Sequence, residues 1–242
     1  PGLKMEIVQF FFSHLSGQKG RRRWAVAFFL GILASGAMAP VYAVFLLIPS
    51  LVGLIWLTYD NICLREAFFV GWWFGFGHFV IGLYWVANAF FVQPQHFGWM
   101  APFAVFALAG ILALFPAVTV VASRSLGYYS SGVGRVLVFA AIWVLFEWVR
   151  SWVFTGFPWN LIGSVWTFSD SIIQFAAFSG VYGLSLLSIT VAAMPAILVN
   201  NISWRTDCSP LLPISVITLT FFLVWAGGSV RLLGANNEIV SD

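Results

Sequence analysis

Glu147 and Arg150 stand three residues apart at the end of an apolar run, and the chain then passes through Thr155-Gly156-Phe157-Pro158-Trp159-Asn160. At that spacing a carboxylate and a guanidinium share one helix face and can pair. An ionisable group at the centre of a bilayer costs roughly 3 kcal/mol or more, so such groups serve each other or a cavity. Two readings follow. In one, Arg150 snorkels to the outer surface and Glu147 neutralises it. In the other, the guanidinium grips a phosphate through two parallel hydrogen bonds. Gly156 and Pro158 break the helix. Phe157 and Trp159 then offer surface to wedge against acyl chains, Trp85 adds to the same aromatic crowding, and Asn160 joins Arg150 in addressing a headgroup. The candidate lipid-binding residues are Trp159, Phe157, Arg150, Glu147, Asn160 and Trp85.

The elements that must position these residues follow from composition. A chain of 242 residues that is 61% hydrophobic and 8% charged cannot hide its apolar groups inside a soluble domain. The charges are also segregated: Asp, Glu, Lys and Arg are absent from Ala67 to Ser123 and from Ser171 to Trp204. At about 20 residues per crossing, these runs hold two spans and one span. Trp24 to Tyr59 is likewise uncharged. As one helix it would be roughly 54 Å long at 1.5 Å per residue, but Pro40 and Pro49 divide it. The expected helices cover about residues 24–39, 42–58, 67–90, 99–122, 134–154, 176–199 and 211–227. The predicted fold class is all-α, a polytopic membrane bundle of about seven transmembrane helices.

Nine of the eleven basic residues (Lys4, Lys19, Arg21, Arg22, Arg23, Arg65, Arg124, Arg135 and Arg205) fall on one side of such a bundle, leaving Arg150 and Arg231 on the other. The positive-inside pattern then places the N-terminus in the cytoplasm and the C-terminus outside. The net charge of +3 reports topology and contact with anionic lipid rather than binding to nucleic acid. The chain divides into a basic cytoplasmic or interfacial leader (1–23), a seven-helix membrane domain (24–227) and an outer tail (228–242). Within the leader, Leu3, Ile7, Phe10, Phe11 and Leu15 are spaced for an amphipathic helix on the membrane surface. Arg21-Arg22-Arg23 followed by Ala37-Met38-Ala39 imitates a cleavable signal, but Pro40 after the cut and the apolar segments beyond favour a first span.

Other chemistries find little support. Cys63 and Cys208 fall in separate inner loops without an activating neighbour, and His14, His78 and His96 lack metal-ligand spacing. No cofactor and no metal are expected. Gly71 and Gly75, and again Ser179 and Gly183, have the four-residue spacing of close helix packing. Trp24, Trp56 and Trp204 read as inner interfacial anchors. Trp85, Trp99, Trp148, Trp152, Trp159, Trp166 and Trp225 crowd the outer side, where they would suit an acyl-chain groove.

The blocks Glu147-Trp148-Val149-Arg150 and Thr155-Gly156-Phe157-Pro158-Trp159-Asn160 resemble the signature of bacterial apolipoprotein N-acyltransferases. Ala39-Pro40, Gly71-Trp72-Trp73-Phe74-Gly75-Phe76-Gly77, Gly82-Leu83-Tyr84-Trp85-Val86 and Gly180-Val181-Tyr182-Gly183-Leu184-Ser185 agree in order and spacing, over about residues 20 to 234. The resemblance implies an inner-membrane enzyme that moves an acyl chain from a phospholipid to the amino-terminal diacylglyceryl-cysteine of a lipoprotein. It also implies a Cys nucleophile, activated by Glu and Lys, that forms a thioester in a periplasmic nitrilase-like domain inserted after the seventh span, with an eighth span beyond it. That Glu, Lys and Cys have no counterparts in this sequence, so no catalytic residue is assigned. The expectation is a membrane module whose partners are a phospholipid acyl donor, a diacylated apolipoprotein acceptor and membrane lipids. Two other readings stand beside it: a membrane anchor for a polyprenol-phosphate mannosyltransferase, and a small-solute transporter.

Overall fold

The computed structural model describes residues 2–59, 62–127, 132–153, 156–199 and 211–239, and among these every regular element is helical. The helices are α1 (Gly2–Ser16), α2 (Gly20–Ser35), α3 (Leu47–Leu57), α4 (Leu64–Gly82), α5 (Pro94–Phe97), α6 (Ala101–Leu112), α7 (Leu114–Leu126), α8 (Gly132–Arg150), α9 (Asp170–Ile173), α10 (Ala176–Ala193) and α11 (Leu211–Ile239). Short 3-10 helices lie at Tyr84–Phe91, Ile162–Trp166 and Met194–Leu198, among others. Thr155, Trp204, Arg205 and Cys208 lie outside the described residues.

Four stretches are long and apolar enough to cross a membrane: 94–126, 132–150, 176–198 and 211–234. A fifth is reached if α4 and the 3-10 helix Tyr84–Phe91, bent by 46°, count as one. The first two expected spans correspond to α2 and α3, whose 16 and 11 residues fall short of the usual crossing length. The expected fourth span is two helices meeting at Ala113. Pro116 explains the break, because its ring removes the amide that would bond to the Leu112 carbonyl. The sixth bends at Gly180, whose φ of 65° lies in the left-handed region.

Helix α4 sits between α2 and α7, and glycine sets both spacings. Lipid tails are as apolar as side chains, so membrane helices associate through close packing rather than hydrophobic burial. A Cβ on Gly71 would stand 2.6 Å from the Pro116 carbonyl oxygen, and one on Gly75 would stand 2.9 Å from Ala113 Cα. On the other side of α4, a Cβ on Gly77 would fall on the Phe28 carbonyl, and one on Gly31 would fall on the Phe74 carbonyl. The Gly71 and Gly75 pair is therefore a helix-packing face. Ser179 and Gly183 are not such a pair: a Cβ on Gly183 would meet Ser179 of its own helix, across the bend at Gly180.

Among the described residues, Arg23, Arg124 and Arg135 stand at one end of the bundle and Arg150 at the other. Arg23 pairs with Glu66 at 3.2 Å, joining the starts of α2 and α4. Arg124 donates to the Thr58 carbonyl at 2.9 Å, joining the ends of α7 and α3. Helix α8 begins at that end near Arg135 and runs 19 residues, roughly 28 Å at 1.5 Å per residue, to Arg150. Trp56 departs from its expected role as an interfacial anchor. It is buried, and its indole donates to the Ala196 carbonyl at 3.1 Å. Helix α1 covers it through Phe12, whose ring meets Trp56 edge-on at 5.8 Å.

Gly31→Ala should lower the detergent melting temperature by several degrees, in line with the ~1–3 kcal/mol cost of overpacking. Gly110→Ala should leave it within a degree or two, because a Cβ there meets only Trp72 at 3.8 Å.

Candidate functional site

Helix α8 delivers Glu147 and Arg150 to its last turn with both side chains enclosed, at 1% and 3% exposure. Arg150 therefore does not snorkel to the surface. Its guanidinium lies over the rings of Phe79 and Phe115, 5.1 and 5.9 Å from their centroids, a cation–π arrangement on apolar walls. Its Nη2 stands 3.9 Å from Glu147 Oε1, so the ion pair is loose.

The tighter partners of Glu147 lie elsewhere. Its Oε1 accepts a hydrogen bond from the Ile162 amide at 2.8 Å and another from the Trp143 indole, one turn earlier, at 3.3 Å. The Ser185 hydroxyl of α10 also approaches this carboxylate, and it accepts from the Gly163 amide at 2.7 Å. Gly163 fits because a Cβ there would stand 2.5 Å from the Val181 carbonyl oxygen. The next anchor is Trp166, whose indole donates to Ser188 Oγ at 2.7 Å. The 3-10 helix Ile162–Trp166 is thus fastened to α8 by Glu147 and to α10 by Ser185 and Ser188.

The segment just before it stands out from the core. Gly156 has φ of 69° and Asn160 φ of 42°, and between these two left-handed residues Phe157 and Pro158 are exposed. Phe157 and Trp159 lie with ring centroids 4.5 Å apart. Trp85, from the bent continuation of α4, joins them at 6.5 and 6.4 Å. Trp159 is half-buried against the cluster of Phe79, Leu83 and Leu112, whereas Phe157 and Trp85 are each 45% exposed. Asn160 turns its amide inward onto Gly82, where a side chain would collide with Nδ2. The structure brings all six sequence-predicted residues together: Trp85, Phe157 and Trp159 as an aromatic rim, and buried Glu147 and Arg150 with half-buried Asn160 as its support.

His78 is a member of this support that sequence reasoning missed. It is buried one turn before Gly82, its imidazole meets the backbone of Asn160, and Arg150 lies within electrostatic reach. A signal was present, because an isolated titratable residue inside the uncharged stretch 67–123 needs a polar environment. Glu147 Oε2, Arg150 Nε, His78 Nδ1 and Asn160 Nδ2 are buried without a protein hydrogen-bond partner, so the cluster retains both donor and acceptor capacity.

Residues 30–194, which include every residue of this cluster, match the family described as the apolipoprotein N-acyltransferase N-terminal domain. The chain belongs to that family. A protein from Allorhizobium ampelinum named apolipoprotein N-acyltransferase is 39% identical over 189 residues, covering 74% of this chain and 35% of that protein. One of the same name from Rickettsia typhi is 37% identical over 215 residues, covering 86% of this chain and 40% of that protein. A third, from Rickettsia bellii, is 42% identical over 173 residues, covering 67% and 32%. The matched part of this chain spans about a third of the length of these apolipoprotein N-acyltransferases.

Glu147→Ala leaves the Arg150 charge enclosed without its counter-charge and the Ile162 amide without its acceptor. It should destabilise the protein by about 3–5 kcal/mol. Adding Arg150→Leu should recover part of that loss in a double-mutant cycle read by detergent melting.

Proposed function

We propose that this chain is the membrane module of a phospholipid:apolipoprotein N-acyltransferase of the bacterial inner membrane. In this reading the bundle crosses the bilayer about seven times, with the basic end in the cytoplasm and the aromatic rim at the outer leaflet. The observation that carries it is the aromatic rim of exposed Trp85 and Phe157 with half-buried Trp159, held over a buried polar cluster at the end of the bundle opposite Arg23 and Arg124.

The rim offers apolar surface for the acyl chains of a phospholipid. The Glu147–Arg150–His78–Asn160 cluster lies beneath it with its polar atoms enclosed, and holds the rim-bearing segment in place. Irregular backbone at membrane depth is tolerated where it is enclosed by protein, and residues 161–166 meet that condition. Gly156, Phe157 and Pro158 are exposed, as befits the outer interface. The module binds and orients the donor ester. The acyl transfer itself requires a nucleophile, proposed by family resemblance as a Cys activated by Glu and Lys. That Cys attacks the ester carbonyl, expels the lysophospholipid and holds the acyl group as a thioester. The amine of the diacylglyceryl-cysteine then displaces the thiolate. Dividing the transfer into two acyl steps is the usual benefit of a covalent intermediate.

In the full-length protein, Trp159→Ala should reduce transfer of a labelled acyl chain from phospholipid to a diacylated lipopeptide by at least about tenfold, equivalent to ~1.4 kcal/mol in barrier. Trp159→Phe should retain most of the activity, with membrane content of both variants unchanged. Equal transfer by Trp159→Ala and the parent would remove the rim from the donor site.

A further inference from the structure

Helix α1 presents three distinct faces. Phe12 and Ser16 are buried, with Val8 and Leu15 partly so, and this side docks on α3 and the Met194–Leu198 turn. Phe12 meets Trp56 at 5.8 Å and Tyr59 at 5.1 Å. Glu6, Gln9 and Ser13 form an exposed polar face. Between the two, Ile7, Phe10 and Phe11 are exposed at 51, 66 and 55%, at the i, i+3, i+4 spacing of a single stripe. At 100° per residue, the centre of this stripe lies about 120° from that of the polar face and about 130° from that of the docked side. Exposed His14 falls within it, stacked on Phe10 at 6.3 Å.

The end of the helix is fastened by side-chain bonds. Arg23 Nε donates to the Gln18 carbonyl at 2.6 Å and Nη2 to the Ser16 carbonyl at 3.3 Å, while Nη1 pairs with Glu66. One buried guanidinium thus ties the end of α1 to α2 and α4. Gly20, with φ of 54°, provides the turn between α1 and α2. Lys19, Arg21 and Arg22 are exposed at that turn, at the basic end of the bundle. An exposed apolar stripe on a helix followed by three exposed cations, at the end of a membrane bundle, complements an anionic leaflet.

We propose that α1 lies in the plane of the leaflet at the basic end. Ile7, Phe10 and Phe11 enter the acyl region there, and Lys19, Arg21 and Arg22 bind anionic lipid headgroups. The proposal needs the bundle to sit in a bilayer but is independent of acyl transfer.

The test is site-directed spin labelling of the full-length protein, with its native cysteines replaced by Ser, in phosphatidylcholine vesicles with and without phosphatidylglycerol. Nitroxides introduced through Ile7→Cys and Phe10→Cys should collide with oxygen several-fold more often than with a water-soluble nickel chelate. Labels from Gln9→Cys and Ser13→Cys should show the reverse. Removing phosphatidylglycerol, or introducing Arg21→Gln with Arg22→Gln, should narrow this contrast. Nickel access at Phe10 equal to that at Ser13 would place the stripe in water and overturn the proposal. Exclusion of both reagents from Phe10 would place it against protein, with the same consequence. A contrast indifferent to phosphatidylglycerol and to the arginine changes would overturn the headgroup assignment.

Discussion

Glu147 is enclosed at the end of a membrane helix, and an enclosed carboxylate must be met by donors or it destabilises the fold. The nearest cation, Arg150, is 3.9 Å away, so the carboxylate is met chiefly by the Ile162 amide at 2.8 Å. That bond is made across a chain reversal of fifteen residues and fixes where the reversal ends. Ser185 repeats the device on the next amide, from the opposite helix. The Gly156-to-Asn160 segment is therefore held at its far end by two hydrogen bonds to buried side chains. Phe157 can then stand outside the core, with Trp159 packed at its edge, without the loop collapsing inward.

The second support is the spacing of α4. Its glycine contacts with α2 and α7 bring backbones together, and they set where His78 and Gly82 stand. Gly82 gives Asn160 the room to turn its amide inward, and His78 meets the Asn160 backbone from the same helix. The rim thus depends on a carboxylate from α8, a hydroxyl from α10 and a bare helix surface on α4. Substitutions on α4, well away from the exposed Phe157 and Trp85, therefore act on the same loop.

Much of this was legible in the sequence, for identifiable reasons. The bilayer excludes charge, so the uncharged runs marked the apolar helices. The i, i+3 spacing announced that Glu147 and Arg150 share a face. Gly71 and Gly75 announced a packing face on α4, and the aromatic pair flanking Pro158 announced a break with exposed rings. The partner of Glu147 was not legible, because a backbone amide fifteen residues away leaves no mark in residue type. Arg150 was misread as a candidate for snorkelling because the rings of Phe79 and Phe115 reach it from other helices. Trp56 was misread as an anchor because its cover, Phe12, comes from a helix that only the fold places over it. The Ser179 and Gly183 spacing lost its meaning once Gly180 bent the helix between them.

Hydrogen exchange resolved to single amides in the 156–166 segment, with the protein in lipid, tests most directly whether Glu147 holds this reversal. If Glu147 holds the reversal, the Ile162 and Gly163 amides exchange slowly while the exposed Phe157 amide exchanges fast. Glu147→Gln, which keeps the shape but weakens the acceptor, then accelerates Ile162 and Gly163 without altering the amides of α8. Uniformly fast exchange across 156–166 in the parent protein, or protection of Ile162 indifferent to Glu147→Gln, would contradict that role for Glu147.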